Sequence, residues 1–133
     1  MRDLGVVQHG APVLAEPAAA FDLPADRADA ERIVDQLAEA MDRIARVHDF
    51  SGKGMGLAAP QIGIVRAAAA ARPAVPGAEP IVLLNPRITA ASDKMDEQYE
   101  GCLSFFDVRG MVPRPLRITV ETTTWDGAAD TTL

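Results

Sequence analysis

One domain combining a single long helix with several strands is the fold the sequence predicts, and three observations carry that expectation. Apolar residues recur at three- and four-residue steps from about Asp26 to Val47, a compact apolar run stands at 81–86, and β-branched residues alternate through 115–124 ahead of Asp126-Gly127. A chain of 133 residues with 48% hydrophobic content is large enough to bury a core of its own, so one domain over 1–133 is expected.

Gly10, Pro12, Pro17 and Pro24 punctuate residues 1 to 25 too often for a long regular element, and this stretch reads as an irregular arm. From Asp26 to Val47, Ile33, Val34, Leu37, Met41 and Ile44 fall on one helical face. His48, Asp49 and Gly52 end that helix, and SGKGMGLAAPQIG (51–63), with Gly52, Gly54, Gly56 and Gly63, reads as a glycine-rich loop. Ile64 to Ala71 is expected as a short strand, although its alanines also suit a helix. ARPAVPGAEP is a surface connection and IVLLNP (81–86) a buried strand. SDKMDEQYE is polar and expected to be exposed. PLRITVETTT (115–124) is a strand, Asp126-Gly127 its hairpin turn and AADTTL the partner.

The formal net charge of -6 and a pI near 4.8 argue against a nucleic-acid partner, which needs clustered Lys and Arg. No run of about 18 apolar residues and no apolar leader core are present, so no membrane span is expected and a cytoplasmic protein follows. The single cysteine, Cys102, is a buried small hydrophobe, a reactive thiol or a metal ligand in a reducing compartment. Taken alone it reads as a core residue.

Two phosphate-binding readings of the glycine-rich stretch fail on context. Gly54 to Ala59 formally fits G-x-G-x-x-A but leaves a helix and meets Pro60, whereas a dinucleotide fingerprint leaves a strand and opens a helix. GKG lacks the Gly-Lys-Ser/Thr ending of a Walker loop. What remains is a loop needing positive φ, or a backbone laid bare for a ligand. In EGCLS (100–104), Cys102 could attack a carbonyl only with a base nearby, and the chain holds only His9, in a turn, and His48, at a helix end.

GMGLAAPQIG and EGCLS, in this order around IVLLNP, resemble the paired motifs of the peptide deformylases. The resemblance extends to GAPVL in the arm and to RGMVPRPLRI after the second motif. It implies an α+β fold, with antiparallel sheets around a metal-bearing helix. It also implies hydrolysis of the formyl group from N-formylmethionyl peptides and nascent chains, including those at the ribosome. Matched by position, Cys102 resembles the cysteine ligand of one divalent metal, iron in the family with zinc or nickel as alternatives. Gln61 and the backbone N–H of Leu103 resemble the donors to the formyl oxygen. Met55, Gly56 and Gly101 resemble the backbone that aligns the peptide like an added strand, and Arg109 resembles an arginine at the entrance.

Two departures stand out. Phe106 occupies a position where many members have proline. More consequentially, the family's H-E-x-x-H motif, which supplies two histidine ligands and a glutamate for the proton, is absent from these 133 residues. The returning strand after Asp126-Gly127 looks hardly begun. The expectation is therefore a C-terminally truncated deformylase-like domain, its metal-binding helix missing and its chain inactive. The competing reading is a non-catalytic peptide-binding or regulatory protein.

Overall fold

The computed structural model describes residues 1–50 and 53–132, so Gly52, expected to help end the helix, lies outside the described residues. The α-helix expected from the spacing is α1 (Arg27–Val47). Its buried stripe is Ala30, Ile33, Leu37, Ala40, Met41 and Ile44; burying each large member contributes about 1.5–3 kcal/mol. Val34 packs against this core from its margin. At the first turn Arg66 pairs with Asp26 and Asp29 while its guanidinium lies 4.2 Å over Phe21. The helix thus starts where negative charge at its N-terminus is both favoured and neutralised.

Among the described residues eight strands follow, all paired antiparallel, and the α+β class expected from the resemblance holds. They are β1 (Met55–Ala58), β2 (Ala68–Arg72), β3 (Ile81–Leu84), β4 (Arg87–Ala91), β5 (Met95–Gly101), β6 (Arg109–Pro115), β7 (Ile118–Thr123) and β8 (Ala129–Thr132). Their sheets run β1-β2-β3, β4-β7-β8 and β5-β6. Helix α1 packs on β1 and β2, burying Leu57, Ala68 and Ala70 beneath it.

Several expectations need correction. Part of the glycine-rich stretch is strand: β1 pairs Met55 with Arg72 and Ala58 with Ala69, and Met55 and Leu57 alternate inward. The segment at 64–71 becomes regular only at Ala68. IVLLNP does form a strand, but β3 is the edge of its sheet rather than a buried element. Only Leu84 is buried there, while Ile81 and Val82 stay 48% and 38% exposed. The polar 92–100 region is exposed as expected, yet it holds β5, which pairs with β6 from Met95↔Pro115 to Gly101↔Arg109. The returning strand is also fuller than the sequence suggests, since β8 pairs with β7 from Thr123↔Ala129 to Val120↔Thr132. At the turn between them Gly127 has φ 92° and donates to the Thr124 carbonyl at 3.0 Å. A side chain there would collide with the Leu23 backbone.

Candidate active site

The sequence between β1 and β2 folds Ala59–Ile62 into one 3₁₀ turn closed by Gly63 at φ 85°. That turn swings Gln61 back over β1, where its Oε1 accepts from the Ala58 N–H at 2.9 Å. The amide orientation is thereby fixed, because the oxygen must face the donor. Gln61 Nε2 donates to the Ser104 hydroxyl at 3.1 Å and lies 3.7 Å from Cys102 Sγ. Cys102, half-buried, caps a second 3₁₀ turn (Leu103–Phe105), and its sulfur accepts from the Ser104 N–H at 3.4 Å. Leu103 and Ser104 are buried beneath it.

Where the two turns meet they border one cavity of about 540 Å³, lined by Gln61 from the first and by Cys102 and Leu103 from the second. All seven residues proposed from the sequence line it: Met55, Gly56, Gln61, Gly101, Cys102, Leu103 and Arg109. Met55 and Gly56 stand on β1, which among the described residues pairs only with β2, so its outer edge is turned to the cavity side. Gly101 and Arg109 are opposite partners at the end of the β5–β6 ladder. Cys102, read alone as a core residue, is instead a cavity residue.

Further residues in the wall were not singled out as site residues. His48, expected at a helix end, caps α1, its N–H donating to the Ile44 carbonyl at 2.9 Å. Its ring also stands 4.6 Å from that of Phe106, so helix end and cysteine turn meet there. Glu100 lines the cavity beside Gly101, and Arg114 grips its carboxylate through Nε and Nη2 at 2.9–3.2 Å. That hydrogen bond, helped by the guanidinium charge, holds the Glu100 carboxyl below its ordinary range. Lys53 and Asp49 also line the cavity, making its charge mixed. Only their neighbourhood to GMG and EGC could have pointed to them.

For a metal, the donor set is thin. Among the described residues no group of three or more His, Cys, Asp or Glu side chains converges. His9 packs on Phe105 with ring centroids 5.1 Å apart, and His48 packs on Phe106. Cys102 is one soft donor where a catalytic zinc-type site uses three protein ligands, so the described residues do not fit such a site by themselves.

The polypeptide deformylase family model matches residues 4–131. Among curated proteins, the chain is 35% identical to peptide deformylase 1 of Nitrosomonas europaea over 85% of this chain and 63% of that protein. It is also 35% identical to peptide deformylase 2 of a Nostoc species, over 90% of this chain and 66% of that protein. The chain thus spans no more than about two thirds of the length of these relatives, and 45% of a third from Natranaerobius thermophilus. Among solved structures, the fold matches the peptide deformylase of Thermotoga maritima with a TM-score of 0.76 at 25% identity, over 95% of this chain and 77% of that one. The class I type b peptide deformylase of Acinetobacter baumannii gives 0.74 at 32%, over 96% and 80%. Agreement in sequence and in backbone over nearly all of these 133 residues makes the chain a member of the polypeptide deformylase family.

Proposed function

We propose that the cavity between β1 and the cysteine turn is the peptide-binding part of a deformylase-type hydrolase, whose substrates are the formyl groups of N-formylmethionyl peptides. The observation that carries this reading is the meeting of the oriented Gln61 amide with the Cys102–Leu103 turn in one cavity. Gln61 Nε2 and the Leu103 N–H act as donors to the formyl oxygen. Donors fixed before reaction stabilise the negative charge that grows on that oxygen without reorganising at that moment. The backbone of Met55, Gly56 and Gly101 holds the peptide as an added strand, since the outer edge of β1 offers N–H and C=O groups that glycine leaves uncovered. Arg109, exposed at the rim, meets the incoming chain.

Cys102 is the one metal ligand assigned within this chain, for a divalent iron, zinc or nickel ion. Because the two histidine ligands and the glutamate of H-E-x-x-H are absent from the sequence, and no three metal-binding side chains converge among the described residues, these 133 residues are by themselves catalytically silent. Newly made polypeptides in the cytoplasm, including those at the ribosome, are the natural partners of such a site.

Metal analysis of the purified chain, combined with turnover of a formyl-methionyl peptide, tests the silence. Substoichiometric metal and no turnover are expected; stoichiometric iron, zinc or nickel with turnover lost in Cys102→Ala would overturn it. A second reading, a non-catalytic peptide-binding or regulatory protein, draws on the fact that the Gln61 amide is oriented by protein groups alone. It predicts cooperative folding and saturable binding of formylated peptide without hydrolysis, and fails if the chain is unfolded or binds none.

A further inference from the structure

The N-terminal arm makes a set of contacts that no motif advertises. Val6 is buried in the core at 1% exposure, and the three residues after it each bond to a different part of the site. The Val7 N–H donates to the Gln61 carbonyl at 2.7 Å and the His9 N–H to the Ser104 carbonyl at 2.8 Å. Between them Gln8 Nε2 donates within the arm to Val6 O, 3.2 Å, and across to Leu103 O, 3.0 Å. An amide nitrogen has two hydrogens, and both are committed to carbonyls. Residues 6–9 therefore tie together Gln61 and the 103–104 turn, two segments that have no ladder between them.

From this arrangement we propose that Gln8 is a positioning residue, and that the 6–9 arm is a clip which sets the distance and angle between the Gln61 amide and the Leu103 peptide group. Gln8 touches no ligand itself. Its bond fixes the Leu103–Ser104 peptide plane through the carbonyl oxygen, and so anchors Leu103, whose N–H lies in the preceding Cys102–Leu103 plane. His9 fixes the next plane and Val7 the main chain of Gln61. The Ser104 hydroxyl then receives one Gln61 hydrogen from a turn that the clip has already placed. Two donors on separate loops converge on one oxygen only if neither loop drifts, because a hydrogen bond weakens steeply beyond its ordinary length and angle. The need for such convergence rests on the carbonyl-binding reading above; the clip itself does not.

The experiment uses the whole chain and its Gln8→Met variant, which keeps side-chain length and removes both donors. In the ligand-free protein, amide hydrogen exchange followed by NMR is expected to speed about tenfold at Val7, His9 and Ser104, whose N–H groups are bonded to the clip or the turn, and the Gln61 side-chain resonances to move, while the α1 amides from Ile33 to Ile44 exchange unchanged. Uniform acceleration through α1 would assign Gln8 a merely structural role and overturn the clip, as would no change at all. The second arm titrates both proteins with a formyl-methionyl tripeptide and with the same tripeptide lacking its formyl group. Gln8→Met is expected to weaken the formylated peptide about fivefold, the worth of one modest hydrogen bond, and to leave the unformylated one unaffected. Equal weakening of both peptides counts against the clip's effect on the donor pair. If the formylated peptide shifts neither the Gln61 side chain nor the Leu103 amide in the unmutated chain, the carbonyl-binding reading falls, and the exchange measurement still decides the clip.

Discussion

Gln61 is held at both ends of its amide, and the two ends do separable work. Replacing it with leucine strands the Ala58 N–H and the buried Ser104 hydroxyl together. Gln61→Leu should cost about 1–3 kcal/mol, read as a lower urea midpoint at unchanged slope. Gln61→Glu keeps an acceptor for Ala58 and lets the Ser104 hydroxyl donate instead, so stability should fall by less than half as much while binding of a formylated peptide is lost. Gly54 makes a different point. It has φ 73°, and a Cβ there would meet the Arg72 carbonyl at 3.0 Å and the Ala74 nitrogen at 3.2 Å, so Gly54→Ala should destabilise by about 1–3 kcal/mol in the same assay. Met55 and Gly56 were legible as site candidates through the resemblance of GMGLAAPQIG to the family's motif, since the cluster of glycines alone reads equally as a loop that needs positive φ. Gln8 was not: its partner Leu103 is 95 positions away, and a glutamine in an arm carries no local mark of what it will bond.

Among the elements, the β5–β6 hairpin is the one whose stability should depend on pH. Glu100 and Arg114 meet diagonally across it, and the bond from Arg114 lowers the Glu100 pKa in the folded chain. A depressed carboxyl stabilises the fold above the unfolded-state pKa, and that contribution is lost as pH falls through the folded value. Arg114→Met should therefore lower the urea midpoint at pH 7, and the difference between the two proteins should shrink as pH falls through the folded Glu100 value. Helix α1 and the β7–β8 hairpin were readable in the sequence because each advertises itself locally, one by a repeat of buried positions and the other by Asp-Gly. Strands β5 and β6 were not readable, since MDEQYEG and RGMVPRP are rich in charge, glycine and proline. Their strand form comes from pairing with each other rather than from propensity.

Across the whole molecule the apolar interior is unevenly shared. The buried hydrophobic residues come from the arm, α1, β1 to β3 and the turns beside them, whereas no described residue of β4 to β8 is among them. Ile88, Met95, Tyr99 and Met111 on those later strands are all about half exposed or more. Hydrogen exchange should accordingly follow a gradient, slowest in α1 and β2 and about a hundredfold faster in β5 and β6, since strands without buried contacts open at lower free energy. Equal protection in both regions would contradict that division. Beside β1, the strand that borders the cavity, runs β2, a central strand with four consecutive alanines, Ala68 and Ala70 being buried and Ala70 standing opposite Leu57 of β1. Such a row acts as a shim. Its thinness lets α1 lie close behind β1, so the standing of one cavity wall is gauged from the rear by methyl groups that never see a ligand. Enlarging Ala70 would then reshape the cavity without altering any residue that lines it.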